Sequence, residues 1–127
     1  MKKFYLVLPL LATALFTHIA QAYEPDWKVG RIYFRNVCTA CHTEVKTKVP
    51  PDGQTKAEWT AYLQANKHAK GKDTVSLYFS KQYRDSIKAT NKAAAKFADK
   101  PEQALSADVR AFILHSAKDG ESPASCN

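Results

Sequence analysis

The chain has 127 residues, 45% hydrophobic and 24% charged, which suits one small domain and excludes a two-domain enzyme or a solenoid. Four Gly and six Pro exclude a collagen-like or low-complexity chain, and three Cys are too few for a disulfide scaffold. Nineteen basic against twelve acidic side chains give a net charge of +7, which permits an acidic partner without naming one.

The N-terminus predicts a segment that is removed. Lys2 and Lys3 precede an apolar stretch from Phe4 to Phe16, and Ala20-Gln21-Ala22 follows. A charged start, a short apolar core and a small–x–small site describe a Sec signal peptide over residues 1–22, cleaved after Ala22. The apolar run is shorter than the roughly 18–20 residues that a bilayer span needs, and Pro9 interrupts it. No retained membrane span is therefore expected, and no cysteine follows the cut to carry a lipid. Residues 23–127 form the expected exported domain, in the periplasm or an equivalent compartment.

Hydrophobic periodicity is helical nearly throughout that domain, and no stretch alternates with period two. Asp26 after Pro25 predicts the cap of a helix through Trp27, Gly30, Phe34 and Val37. Residues 43–54 lack periodicity and hold Pro50-Pro51-Asp52-Gly53, which is loop chemistry. Thr55-Lys56-Ala57-Glu58 is a capping box opening a helix with Trp59, Tyr62 and Leu63 on one face, ending near Lys70-Gly71. Asp73 predicts a short helix through Val75, Tyr78 and Phe79, and a longer one follows over roughly 83–98. Ser106 is read as the cap of a last helix bearing Val109, Phe112 and Ile113, stopped near Gly120. Five helices make an all-α domain. A body this small buries a thin core, so something beyond helix patterning should hold it together.

Cys38-Thr39-Ala40-Cys41-His42 carries the chemistry. It reads C-x-x-C-H, the attachment signature of c-type haem. The spacer lets Cys38 and Cys41 add to the two vinyl groups at one porphyrin edge, and His42 then offers its imidazole to the iron. A thioredoxin-like pair would need a βαβ context, and zinc would need a second Cys/His pair at ligand spacing. Neither is present in the sequence, and a plain disulfide leaves the adjacent His unexplained. One covalent haem c is the expected cofactor.

The motif has a wider setting. Gly30-x-x-x-Phe34-x-x-x-Cys38-x-x-Cys41-His42 resembles the N-terminal helix of class I monohaem cytochromes c. The resemblance implies a small class I cytochrome c-like helical domain around one haem. It also implies that Gly30 and Phe34 contact an aromatic of the last helix, with Phe112 of Val109-x-x-Phe112 crossing at Gly30. The likeness covers both ends of residues 23–127 and leaves the middle without a counterpart.

Such cytochromes usually supply a distal methionine, and the only methionine here is Met1. The remaining candidates are His68, His115, Cys126, a lysine, or no ligand. With Cys38 and Cys41 consumed by haem, Cys126 has no intrachain partner. It is read as a distal thiolate, as a cross-link to a partner chain, or as an unused terminal thiol. His68 lies among lysines at the end of the second helix, where a surface cation suits the helix dipole, and is the alternative distal ligand. His115, three after Phe112, is expected to be packed rather than ligating. Tyr62, Tyr78, Phe79, Tyr83 and Phe97 are expected to pack around the porphyrin.

An exported monohaem chain with a leftover cysteine is also similar to the His/Cys-ligated NaxLS-type cytochromes of anaerobic ammonium-oxidising bacteria. That resemblance, carried by Cys38, Cys41, His42 and Cys126, implies His42 and Cys126 as the axial pair, a low potential, and a heterodimer with a related monohaem cytochrome. The expected function is one-electron transfer with redox protein partners. A haem that binds or senses NO or CO is the alternative. No acid/base pair at recognisable spacing points to an enzyme, and nothing points to nucleic acid.

Overall fold

A computed structural model describes residues 22–122, so the expected signal peptide, Ala22 aside, and Cys126 lie outside the described residues. Asp26 is extended, and its carboxylate accepts from the amides of Lys28 at 2.8 Å and Val29 at 3.4 Å. This is the expected cap of α1 (Trp27–Tyr33). The helix continues through a π-helical turn, Phe34–Cys38, into α2 (Thr39–Glu44). In that turn the Thr39 amide reaches back to the Phe34 carbonyl, a wider loop than an α-turn. It re-aims the chain just where Cys38 begins the C-x-x-C-H segment.

After a 3-10 turn at Pro51–Gly53, the capping box opens α3 (Lys56–Ala65). Both of its arms form: Thr55 Oγ1 accepts from the Glu58 amide, and the Glu58 carboxylate accepts from the Thr55 amide at 2.8 Å. The helix stops earlier than expected. Asn66 takes the left-handed conformation at φ 51°, which asparagine tolerates, and this turns the chain away before Lys70-Gly71. Asp73 also differs from expectation. Only a 3-10 turn forms beyond it, Ser76–Phe79, and its carboxylate accepts from the Tyr78 hydroxyl at 3.0 Å.

The long helix expected over 83–98 is two helices, α4 (Lys81–Ile87) and α5 (Lys92–Lys96). Asn91 divides them, because its side chain accepts from the amides of Ala93 and Ala94 and starts a new helix. The last helix, α6 (Glu102–His115), begins ahead of Ser106, which lies inside it. Pro101 sets its start, and the Glu102 carboxylate in its first turn accepts from the Lys81 amide at 2.7 Å. The described residues form an all-α fold.

The most extensive helix pairing among the described residues is α1 against α6. At Gly30 an added Cβ would run into the backbone carbonyl of Asp108 and the amide of Val109. The crossing point is thus Asp108–Val109 rather than Phe112. Phe112 lies about one turn further along, its ring 5.4 Å from that of Phe34. Asp108 is fully buried there, accepting from the Tyr23 hydroxyl at 2.8 Å and the Asp26 amide at 2.7 Å. Lys100 pairs with it at 2.9 Å, so the buried carboxylate is compensated. Gly30→Ala should cost about 2–3 kcal/mol, the cost of overpacking a tight site. Chemical denaturation of the purified protein measures it, and an unchanged midpoint would contradict the close crossing.

Behind this pair Tyr33 is fully buried, its ring 5.2 Å from Phe97 and 6.0 Å from Phe79, and its hydroxyl donates to the Tyr78 carbonyl. Arg84, also fully buried, donates to the carbonyls of Phe97 and Ala98. These contacts hold α4 and α5 against the segment that carries Tyr78.

Candidate functional site

A cavity of about 450 Å³ lies between the π-turn and α2 on one side and α3, loop 66–73 and α6 on the others. Phe34, Val37, Trp59, Leu63, Val109 and Ile113 supply apolar walls. The size falls within the range of roughly 300–1,000 Å³ seen for small-molecule and cofactor sites. Cys38, Cys41 and His42 all line it, and so does His68. Cys41 and Val45 are exposed, so the cavity meets solvent along that rim.

The two histidines meet inside it. Their ring centres are 5.7 Å apart and their planes are inclined at 75°. Two imidazoles that share one metal at about 2 Å per bond have ring centres roughly 6 Å apart, so the observed spacing suits that arrangement. His68 reaches the cavity because α3 ends at Asn66. Its amide donates to the Asp73 carbonyl at 2.9 Å, closing a tight loop in which Ala69, Lys70 and Gly71 all have positive φ. Its Nδ1 lies 2.6 Å from the Tyr62 hydroxyl oxygen, and the edge of its ring packs against Tyr78 with centres 4.9 Å apart. Desolvation first, and then the neighbouring His42, hold the His68 pKa below its ordinary value, while Asp73 opposes them. The shift favours the neutral ring, the state that offers a lone pair to a metal.

Among the described residues, Cys38 and Cys41 are unpaired. Desolvation is the largest cause that pushes the Cys38 thiol up to about 12, and nearby Cys41 adds to it. Such a thiol is protonated and is a poor free nucleophile at neutral pH. Among the described residues, no group of three or more His, Cys, Asp or Glu is placed to hold a bare metal ion. The donor set instead has two sulfurs on one wall, two facing imidazoles and apolar surroundings. A broad apolar cofactor carrying its own metal suits it.

Compared with known protein families, curated proteins and solved structures, the chain has no match. The site's chemistry has to be read from its own residues.

The site residues expected from the sequence divide clearly. Cys38, Cys41, His42 and His68 come together, while Cys126 lies outside the described residues. The surface position expected for His68 gives way to one on the cavity wall. His115 is packed as expected, stacked on Trp27 with ring centres 4.2 Å apart and not on the cavity wall. Tyr62, Tyr78, Phe79 and Tyr83 line the cavity, whereas Phe97 packs behind it on Tyr33. Sequence reasoning did not single out Val49 and Gln54, which close the wall from the loop before α3. Their segment has no periodicity, and nothing in it marks an inward side.

Proposed function

We propose that the protein is an exported monohaem c-type cytochrome that carries single electrons between redox proteins. The observation that carries this reading is the meeting of His42 and His68 across a cavity that Cys38 and Cys41 also line. Cys38 and Cys41 would anchor haem c through thioethers, and His42 would be its proximal ligand. His68 is our choice for the distal ligand, ahead of Cys126, because the fold brings it to His42. The close crossing of the first and last helices at Gly30, with Phe34 beside Phe112, supports the class I cytochrome c likeness.

Bound there, haem supplies the one-electron ferric/ferrous couple of its iron. The chain's residues determine how that couple is used. His42 and His68 would both hold the iron, which would favour electron transfer over substrate binding at the metal. Trp59, Phe79, Val109 and Ile113 keep water from the interior and leave a low-dielectric surround. The exposed rim at Cys41 and Val45 is where an electron partner approaches closest. Lys46 and Lys48 are exposed next in the chain, where their charge would help to steer an acidic partner. Export through residues 1–22 takes the chain to the compartment where haem c is attached.

Redox potentiometry of the exported wild-type protein tests this reading. One covalently held haem and a single reversible one-electron wave are expected. A chain without haem mass, or one that accepts no electron, would overturn it.

A further inference from the structure

We propose that Tyr62 is the positioning residue for the distal ligand. Its phenol oxygen accepts the Nδ1 proton of His68, holds that ring's Nε2 toward the metal, and so closes the site to small neutral ligands such as CO. The inference rests on the reading of His68 as a haem ligand.

The loop does little to hold the ring by itself. Ala69, Lys70, Gly71 and Lys72 are exposed, and Ala69 and Lys70 have φ of 49° and 59°, a region that favours glycine. The Asp73 carbonyl and the Gly71 amide bond to the backbone of His68, at 2.9 Å and 2.8 Å. Those bonds fix its Cα and leave both ring torsions free. Tyr78 packs edge-on against the imidazole, which limits tilt without selecting a nitrogen.

Tyr62 supplies what is missing. It sits on α3, a capped helix, with its ring 5.8 Å from the buried Trp59 ring. Its hydroxyl oxygen, 2.6 Å from His68 Nδ1, ties a ring on an irregular loop to a rigid helix. A neutral imidazole carries one proton, and metal at Nε2 requires the lone pair there. The proton must then be on Nδ1, donating to Tyr62 Oη. In the opposite tautomer Tyr62 donates, Nε2 keeps its proton, and the ring cannot ligate. The hydrogen bond and the metal bond thus select the same tautomer, as outer partners of ligating histidines generally do.

The test compares wild-type holoprotein with Tyr62→Phe and His68→Ala, reading CO uptake by the ferrous form and the high-spin fraction of the ferric form. Tyr62→Phe keeps the ring and removes only the hydroxyl. Loss of one ordinary hydrogen bond should raise CO affinity several-fold, up to about tenfold, with a matching rise in high-spin signal. If His68→Ala opens the site while Tyr62→Phe matches wild type, the role of Tyr62 is overturned and ligation by His68 stands. If His68→Ala itself changes nothing, ligation by His68 fails and the proposal fails with it. Nuclear magnetic resonance of nitrogen-labelled wild-type holoprotein decides independently of any variant's folding. A slowly exchanging His68 Nδ1 proton supports the bond to Tyr62, and rapid exchange overturns it.

Discussion

Replacing both Cys38 and Cys41 with Ala is expected to abolish covalent haem in the exported protein and to cost most of its stability. Each thioether needs its own sulfur, so either single variant should only impair attachment. The effect on stability follows from where the core lies. Phe34, Val37, Trp59, Phe79, Val109 and Ile113 are at once the buried core and the cavity wall. Without a cofactor, those side chains face about 450 Å³ that no protein atom fills. A domain this small has only a few kcal/mol in reserve, so losing its central packing should leave the chain largely unfolded. Mass spectrometry reads attachment, and circular dichroism reads the fold. A haem-free chain that melts cooperatively with full helix content would show that the protein's own side chains suffice.

His68→Ala should have the second largest effect, on the metal site more than on the fold. Loop 66–73 is mostly exposed and returns to the chain through backbone bonds at Asp73, which the substitution leaves in place. Stability lost through the fold should be about 1 kcal/mol, the value of the single hydrogen bond to Tyr62. The ferric spectrum should change from six-coordinate low-spin to high-spin, and the ferrous form should bind CO readily. Cys126→Ser should leave both properties as in wild type. The reverse pattern, with Cys126→Ser opening the iron and His68→Ala silent, would assign the distal position to the thiolate. The likeness to His/Cys-ligated cytochromes would then outweigh the geometry of the cavity.

The parts of the fold and site that were legible in the sequence depend on neighbours along the chain. C-x-x-C-H is legible because its spacing is local, and the fold brings Cys38, Cys41 and His42 to one cavity. The caps at Asp26 and Thr55 are legible because each side chain bonds an amide two or three residues on. His68 was hidden. Its place in the cavity depends on Asn66 ending α3, on the bridge to Asp73 and on Tyr62, three contacts that helical periodicity does not encode. The signal was present in retrospect, since Asn66 and Gly71 bracket His68 and both tolerate left-handed backbone. The break at Asn91 was hidden by strong helix formers on its C-terminal side, whose propensity does not show where a helix begins. The crossing at Gly30 was visible as a small residue on the first helix. Its partner on the last helix depended on packing, which placed Asp108 rather than Phe112 opposite it.

Electron paramagnetic resonance of the ferric wild-type protein tests the central claim most directly, because axial ligands set the spectrum of low-spin iron. Ligation by His42 and His68 together predicts a low-spin signal of the two-imidazole class, present in wild type and lost in His68→Ala. A thiolate-type signal, or a high-spin signal from five-coordinate iron in the wild-type protein, would contradict it.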